Sequence, residues 1–232
     1  MNLLSKLTSS PLLARVAPFV VFILVTFAQG YVGRTGPYWL YLAKTLLAAW
    51  MLWAVRGVVP EMKWVFSWEA LVVGTAVFVL WVGLDPLLVQ LGFPHSYPKP
   101  NLSGSGADWN PHATFGQGSA FAWLFIVVRL VGSACVVPPL EEVFYRSFFY
   151  RYVARVDFQS VPIGAWFWIP FLVTSVVFGF EHRHWLAGIL CGFAYQGLVC
   201  WKKRLGDAIV AHGLTNLLLG LWVLQRRAWE YW

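Results

Sequence analysis

Charge is what this sequence has least of. Charged residues fill 12% of 232 positions, where a soluble domain carries roughly 25%. Hydrophobic residues fill 59%, and the mean hydropathy is +0.64. A chain of this length cannot build a core large enough to hide that fraction from water. A bilayer is the better solvent for it. Alternating polar and apolar residues are also missing from the long apolar runs, which argues against a membrane barrel. Helices remain, because they satisfy their own backbone in lipid, and each needs about 20 apolar residues to cross.

Cysteine is scarce as well. Cys135, Cys191 and Cys200 are odd in number, lie in apolar segments and form no Cys-x-x-Cys. Neither a disulfide framework nor a zinc knuckle is indicated, and buried thiols are expected. The net charge of +7 comes with one basic run, Lys202-Lys203-Arg204. Without a basic face or motif this excludes nucleic acid as a partner. Membrane lipids are the expected partners, with loop Lys and Arg meeting anionic headgroups. No His-Glu-x-x-His is present, so the commonest helical zinc-protease signature is absent.

What the chain does have is length in its apolar runs. Eight spans can be drawn, near Leu12–Gly30, Pro37–Val55, Trp68–Leu91, Ser119–Val137, Leu140–Val156, Pro162–Phe180, Trp185–Trp201 and Asp207–Leu224. The fifth is interrupted by Glu141, Glu142, Arg146, Arg151 and Arg155, and without it the count is seven. The reading is therefore an all-α polytopic membrane protein of seven to eight transmembrane helices, with residues 1–232 as one membrane domain. Within the first span the apolar run Ala17–Ala28 follows Lys6 and Arg15 and is read as an uncleaved helix rather than a signal peptide. The stretch Phe93–Gly118 holds Pro94, Pro98, Pro100, Pro111 and Ser103-Gly104-Ser105-Gly106, and reads as an exposed loop. Tyr38, Trp39, Trp64, Trp68, Trp201, Trp229, Tyr231 and Trp232 sit at run ends, where amphipathic rings form interface belts. Mid-run Trp53 and Trp123 are expected in the core.

Ionisable groups within such helices are costly, by about 2.5–3.5 kcal/mol or more at a helix centre, and persist when paired or used. Three clusters qualify. In Glu141-Glu142-Val143-Phe144-Tyr145-Arg146 the preceding Pro138-Pro139 reads as a helix start, which places both glutamates in a first turn favourable to negative charge. Glu142 and Arg146 are four apart and can pair. Glu141 points elsewhere, as a carboxylate available to act as a general base. In the second cluster His182 ends an apolar run with Phe178 one turn before it. His184, two residues on, would face away on a helix. In the third, His212 and Asn216 share a face of the last span and supply donors suited to an oxyanion hole. Each cluster alone also admits a purely structural reading, as an ion pair at a helix start or as polar helix–helix adhesion. Together they make an acyl-transfer site without a covalent nucleophile, in which water attacks.

These three motifs, Glu-Glu-x-x-x-Arg, Phe-x-x-x-His and His-x-x-x-Asn in that order, resemble the CAAX protease and bacteriocin-processing family. Its members are polytopic relatives of the type II prenyl-protein endopeptidase. The resemblance covers roughly Val137–Leu218 and makes 119–224 the catalytic helices. It implies a glutamate-type intramembrane endopeptidase without cofactor or metal, acting on a peptide or protein substrate anchored in the membrane. Glu141 would activate the water with help from His182, His212 and Asn216 would hold the oxyanion, and Glu142, Arg146 and Phe178 would support the site. The compact length and Pro-Pro-Leu-Glu-Glu resemble the exosortase-associated bacterial subgroup, and the location implied is a bacterial inner membrane. The alternatives are a non-proteolytic scaffold or immunity protein, and a zinc-dependent membrane protease. As straight spans, Glu141 and His182 fall at one membrane face and His212 starts from the other. The site closes only if a helix is short or tilted, or if a wet cavity reaches mid-depth.

Overall fold

The computed structural model describes residues 3–92 and 109–232. Pro94, Pro98, Pro100 and the Ser103–Gly106 segment lie outside the described residues. The main helices are α1 (Pro11–Ala28), α2 (Gly36–Val55), α3 (Trp68–Gln90), α4 (Ala120–Ala154), α5 (Trp168–Phe180), α6 (Trp185–Lys202) and α7 (Gly206–Arg226). No strand occurs among the described residues.

Local sequence explains most helix starts. Ser10, Ser67 and Ser119 cap α1, α3 and α4, each accepting a hydrogen bond from the backbone N–H three residues on. Pro11 and Pro37 occupy opening positions of α1 and α2, where a missing N–H costs nothing.

The chain is an all-α polytopic membrane protein. Among the described residues five helices are long and apolar enough to cross a bilayer: Pro11–Tyr31, Gly36–Val55, Trp68–Gln90, Ala120–Ala154 and Gly206–Arg226. A shorter apolar helix, Trp168–Phe180, adds to them. Burial runs opposite to that of a soluble domain. Lys44, Glu142, Arg146, Asp207 and His212 are buried, while Leu24, Trp53, Trp68, Ile169 and Leu221 are exposed. Only lipid accepts such a surface without penalty.

The structure corrects several expectations. The fourth and fifth spans are one run of 35 residues, Ala120–Ala154, so Pro138-Pro139 lies within a helix rather than at its start. Two prolines remove two backbone donors, and the helix widens into a π turn at Gly132–Val136, where the N–H of Val137 reaches back five residues to Gly132. The sixth span begins only at Trp168, leaving a helix of 13 residues. Residues 109–115 are packed rather than a free loop, while 116–118 are exposed as expected. Pro111–Phe115 is a short helix capped by Asn110, and Tyr38 packs on Trp109 with ring centres 4.6 Å apart. Tyr38 is accordingly buried. Trp53 and Trp123 are 62% and 51% exposed, because lipid exerts no drive to bury an aromatic ring. Of the three free thiols, Cys191 and Cys200 are buried and Cys135 is exposed.

Chain packing defines two compact units. One comprises Met1–Val59, Asn101–Leu140 and Asn216–Trp232; the other comprises Pro60–Pro100 and Glu141–Thr215. In the second unit α5 and α6 meet through small residues. A Cβ on Gly188 would stand 2.9 Å from the Cα of Gly179, and one on Gly192 would stand 2.8 Å from Ser175. This pairing of Gly-x-x-x-Gly with Ser-x-x-x-Gly brings the two backbones together, as small-residue motifs do in membranes. On α3, Gly74 performs the same service for α7, since its Cβ would meet the carbonyl of Ala211 at 2.5 Å.

Candidate active site

The second unit collects the residues of all three motifs except Asn216. Glu142 and Arg146 are four residues apart and pair at 3.2 Å, both fully buried. The contact is an ion pair by distance but is not aligned as a hydrogen bond, as the guanidinium nitrogens find no acceptor in hydrogen-bond geometry among the described residues. Its charge is also met by a ring. The Arg146 Cζ stands 4.3 Å from the centre of Phe178, within cation–π range.

Glu142 has a second partner. His212 places Nδ1 3.0 Å from its Oε1, and an ionised carboxylate fixes that nitrogen as the donor. The other imidazole nitrogen, Nε2, faces Glu141 Oε2 at 3.9 Å. Glu141 is therefore not the isolated carboxylate expected from a helix start. Two glutamates, one arginine and one histidine form a compact buried set.

The His212 ring is held on its face as well. Tyr195 stacks on it with centres 5.1 Å apart and planes inclined by 18°. The Tyr195 hydroxyl donates to Thr215 at 2.8 Å, and Thr215 donates in turn to the Gly74 carbonyl at 2.8 Å. The close approach of α3 at Gly74 thus supports the histidine through two hydroxyls.

His182 lies in the turn between α5 and α6. Its Nδ1 is 2.8 Å from the Phe178 carbonyl, an acceptor only, so Nδ1 carries the proton and Nε2 remains an acceptor. This is a physical reason for the Phe-x-x-x-His spacing: position four back supplies both the carbonyl and a ring 4.8 Å away. Burial lowers the His182 imidazole to about 4, with the Phe178 carbonyl acting in the opposite direction. His184 was expected to face away. The helix ends at Phe180, however, and Trp81 of α3 packs against both imidazoles, at 5.3 Å from His182 and 6.2 Å from His184.

Tyr145 and Glu181 are not fixed positions of the three motifs, yet they join the motif helices. The Tyr145 hydroxyl donates to Glu181 Oε2 at 2.8 Å. Tyr145 is one turn after Glu141, so that face of α4 looks toward the turn bearing His182. Burial pushes the Glu181 carboxyl up to about 7, against the downward pull of the Tyr145 bond and the Arg146 charge. The available signal was the i, i+4 spacing of Glu141 and Tyr145 within the first motif.

Asn216 belongs to the first unit, where its amide donates to the Ser133 carbonyl at 2.9 Å. Among the described residues no three His, Cys, Asp or Glu side chains are grouped to hold one metal ion.

Residues 122–218 match the model of the Rce1-like family, described as type II CAAX prenyl endopeptidase Rce1-like. The matched stretch contains every motif residue discussed above. No curated protein and no solved structure matched the chain. This stretch, somewhat under half of the chain, is similar to that family, and together with the apolar helices the similarity supports a CAAX-type intramembrane protease.

Proposed function

We propose that this Rce1-like chain hydrolyses a peptide bond in a membrane-associated or lipid-modified polypeptide, with Glu141 as the general base for the attacking water. One observation carries the reading: Glu142 fixes His212 through Nδ1 while Nε2 of the same ring faces Glu141 at 3.9 Å. A carboxylate and a polar hydrogen on an imidazole then address one buried point.

In this mechanism Glu141 takes a proton from water as the oxygen attacks the carbonyl carbon. The C=O electron pair moves onto oxygen, and His212 Nε2–H donates to that oxyanion. Such donation needs protons on both ring nitrogens, and Glu142 is placed to stabilise the imidazolium. As the intermediate collapses, the C–N bond breaks and the amine leaves with the proton held by Glu141. His182, with Nε2 as acceptor, assists in moving the water's protons. Arg146 neutralises Glu142, so the local charge stays balanced in a medium where imbalance is costly. Asn216 enters as a second oxyanion donor by resemblance only. The resemblance also supplies the exosortase-associated subgroup and the bacterial inner membrane.

The test compares the peptides released from membranes of cells making the wild type with those from cells making Glu141→Gln. Membrane-anchored polypeptides should remain uncleaved in the variant while the protein accumulates normally. Equal cleavage in both would end the glutamate mechanism. Normal cellular function without any cleavage would favour a scaffold.

A further inference from the structure

In the first unit, Arg129 lies inside the span Ala120–Ala154, nine residues after its start. Its guanidinium is surrounded by rings: Trp109 at 4.5 Å, Tyr41 at 5.0 Å and Trp232 at 5.6 Å from Cζ. No carboxylate partners it and no hydrogen bond is made by its five donors among the described residues; the groups acting on it electrostatically are the phenols of Tyr41 and Tyr38. The wall of the box repeats the deficit. Trp109 Nε1–H is buried and has no acceptor among the described residues. Aromatic faces offset part of the guanidinium's charge, but they leave its donors unsatisfied. An uncompensated cation and an orphaned N–H, both donor-only, call for a ligand rich in acceptors and negative in charge.

We infer that this box binds the phosphate of an anionic phospholipid headgroup. Three observations favour a lipid over a soluble anion. Arg129 is half-buried and sits in a membrane span, where lipid rather than bulk water surrounds the helix. Side chains on a helix tilt toward its N-terminus, and the long Arg129 side chain carries its guanidinium to the Trp109 and Trp232 rings at that end of the unit. At this end of the unit Trp109, Trp229 and Trp232 pack together, as belt residues do at the interface. The same end carries Arg34, Arg226 and Arg227 against Glu230, which favours a lipid of net negative charge over a zwitterionic one.

The experiment uses the purified full chain in mixed micelles of phosphatidylcholine, titrated with phosphatidylglycerol, with the melting midpoint read by tryptophan fluorescence. The wild type should show a saturable rise with phosphatidylglycerol and none with added phosphatidylcholine or with inorganic phosphate. Arg129→Gln should bind phosphatidylglycerol about tenfold more weakly or worse, the loss expected for a charged hydrogen-bonded contact. Arg129→Lys keeps the charge but not the planar fork, and should fall between the two; it stands in if Arg129→Gln does not fold. A wild-type response shared by both variants would overturn the inference. So would equal responses to the two lipids. A rise reproduced by inorganic phosphate alone would overturn the lipid assignment in favour of a free anion.

Discussion

His212 donates through Nδ1 to Glu142 across 70 positions of sequence, at 3.0 Å and out of contact with solvent. The same Glu142 oxygen lies 3.2 Å from Arg146. One carboxylate oxygen thus serves two cationic or donor groups, whereas the adjacent Glu141 faces the other imidazole nitrogen at 3.9 Å. The two neighbours Glu141 and Glu142 should therefore respond differently to substitution.

Glu142→Gln leaves Arg146 buried without its counter-charge, and breaking such a pair costs about 3–5 kcal/mol. It should lower the thermal midpoint in detergent markedly. Glu141→Gln should leave that midpoint nearly unchanged while reducing peptide cleavage by about 100-fold or more, the contribution of a general base. Parallel melting and cleavage assays on both variants check this. A stable, inactive Glu142→Gln beside an unstable Glu141→Gln would reverse the assignment.

Tyr145→Phe removes the hydroxyl bond to Glu181 but keeps the ring, which stands edge-on to Phe178 at 5.2 Å. Stability should fall by about 1 kcal/mol. The turnover number should fall more than the Michaelis constant rises, because the turn bearing His182 loses an anchor. Steady-state kinetics separate the two, and an unchanged turnover number would remove Tyr145 from the positioning of that turn.

The pH dependence of stability has two opposed contributions in this turn. Glu181, raised to about 7, binds its proton more tightly when folded, so its contribution falls as pH rises from about 4.5 to about 7. His182, lowered to about 4, binds its proton less tightly when folded, so its contribution falls as pH drops from about 6.5 to about 4. Melting midpoints of Glu181→Gln relative to wild type should improve with rising pH across the first window. Those of His182→Asn relative to wild type should improve with falling pH across the second. Parallel curves for either pair would contradict the corresponding shift.

Gly192→Ala places a methyl 2.8 Å from the backbone of Ser175. Backbone cannot step aside as a side chain can, so α5 must move, at a cost of about 1–3 kcal/mol. Cleavage should fall with it, since α5 carries Phe178 and leads into His182. Gly197→Ala on the same helix meets open space and should be neutral or slightly stabilising. Melting and cleavage measured on the two alanine variants provide the comparison.

Cleavage by a glutamate-activated water should survive prolonged chelation. Dialysis against a strong chelator, followed by elemental analysis and assay, tests this. Loss of activity with recovery on adding zinc would favour the metal-dependent alternative.

The amino-acid sequence by itself determined the solvent and pointed to the polar residues of the candidate site. A chain with 12% charged residues and long apolar runs has no soluble solution, and ionisable side chains within those runs single out candidate functional positions because each is costly in lipid. The Glu142–Arg146 pair was legible from helical spacing alone. Tertiary structure decided what spacing cannot express. Periodicity does not reveal that Pro138-Pro139 is absorbed into a continuous helix by a π turn, because that depends on neighbours replacing lost backbone bonds. It does not reveal how the three motifs meet, since His212 reaches Glu142 only through packing that the short α5 and the glycine contacts of α3, α5 and α6 permit. Nor does it show that Tyr145 reaches Glu181. Sequence names the polar groups that a membrane protein keeps; only the packing of its helices decides which of them share a hydrogen bond.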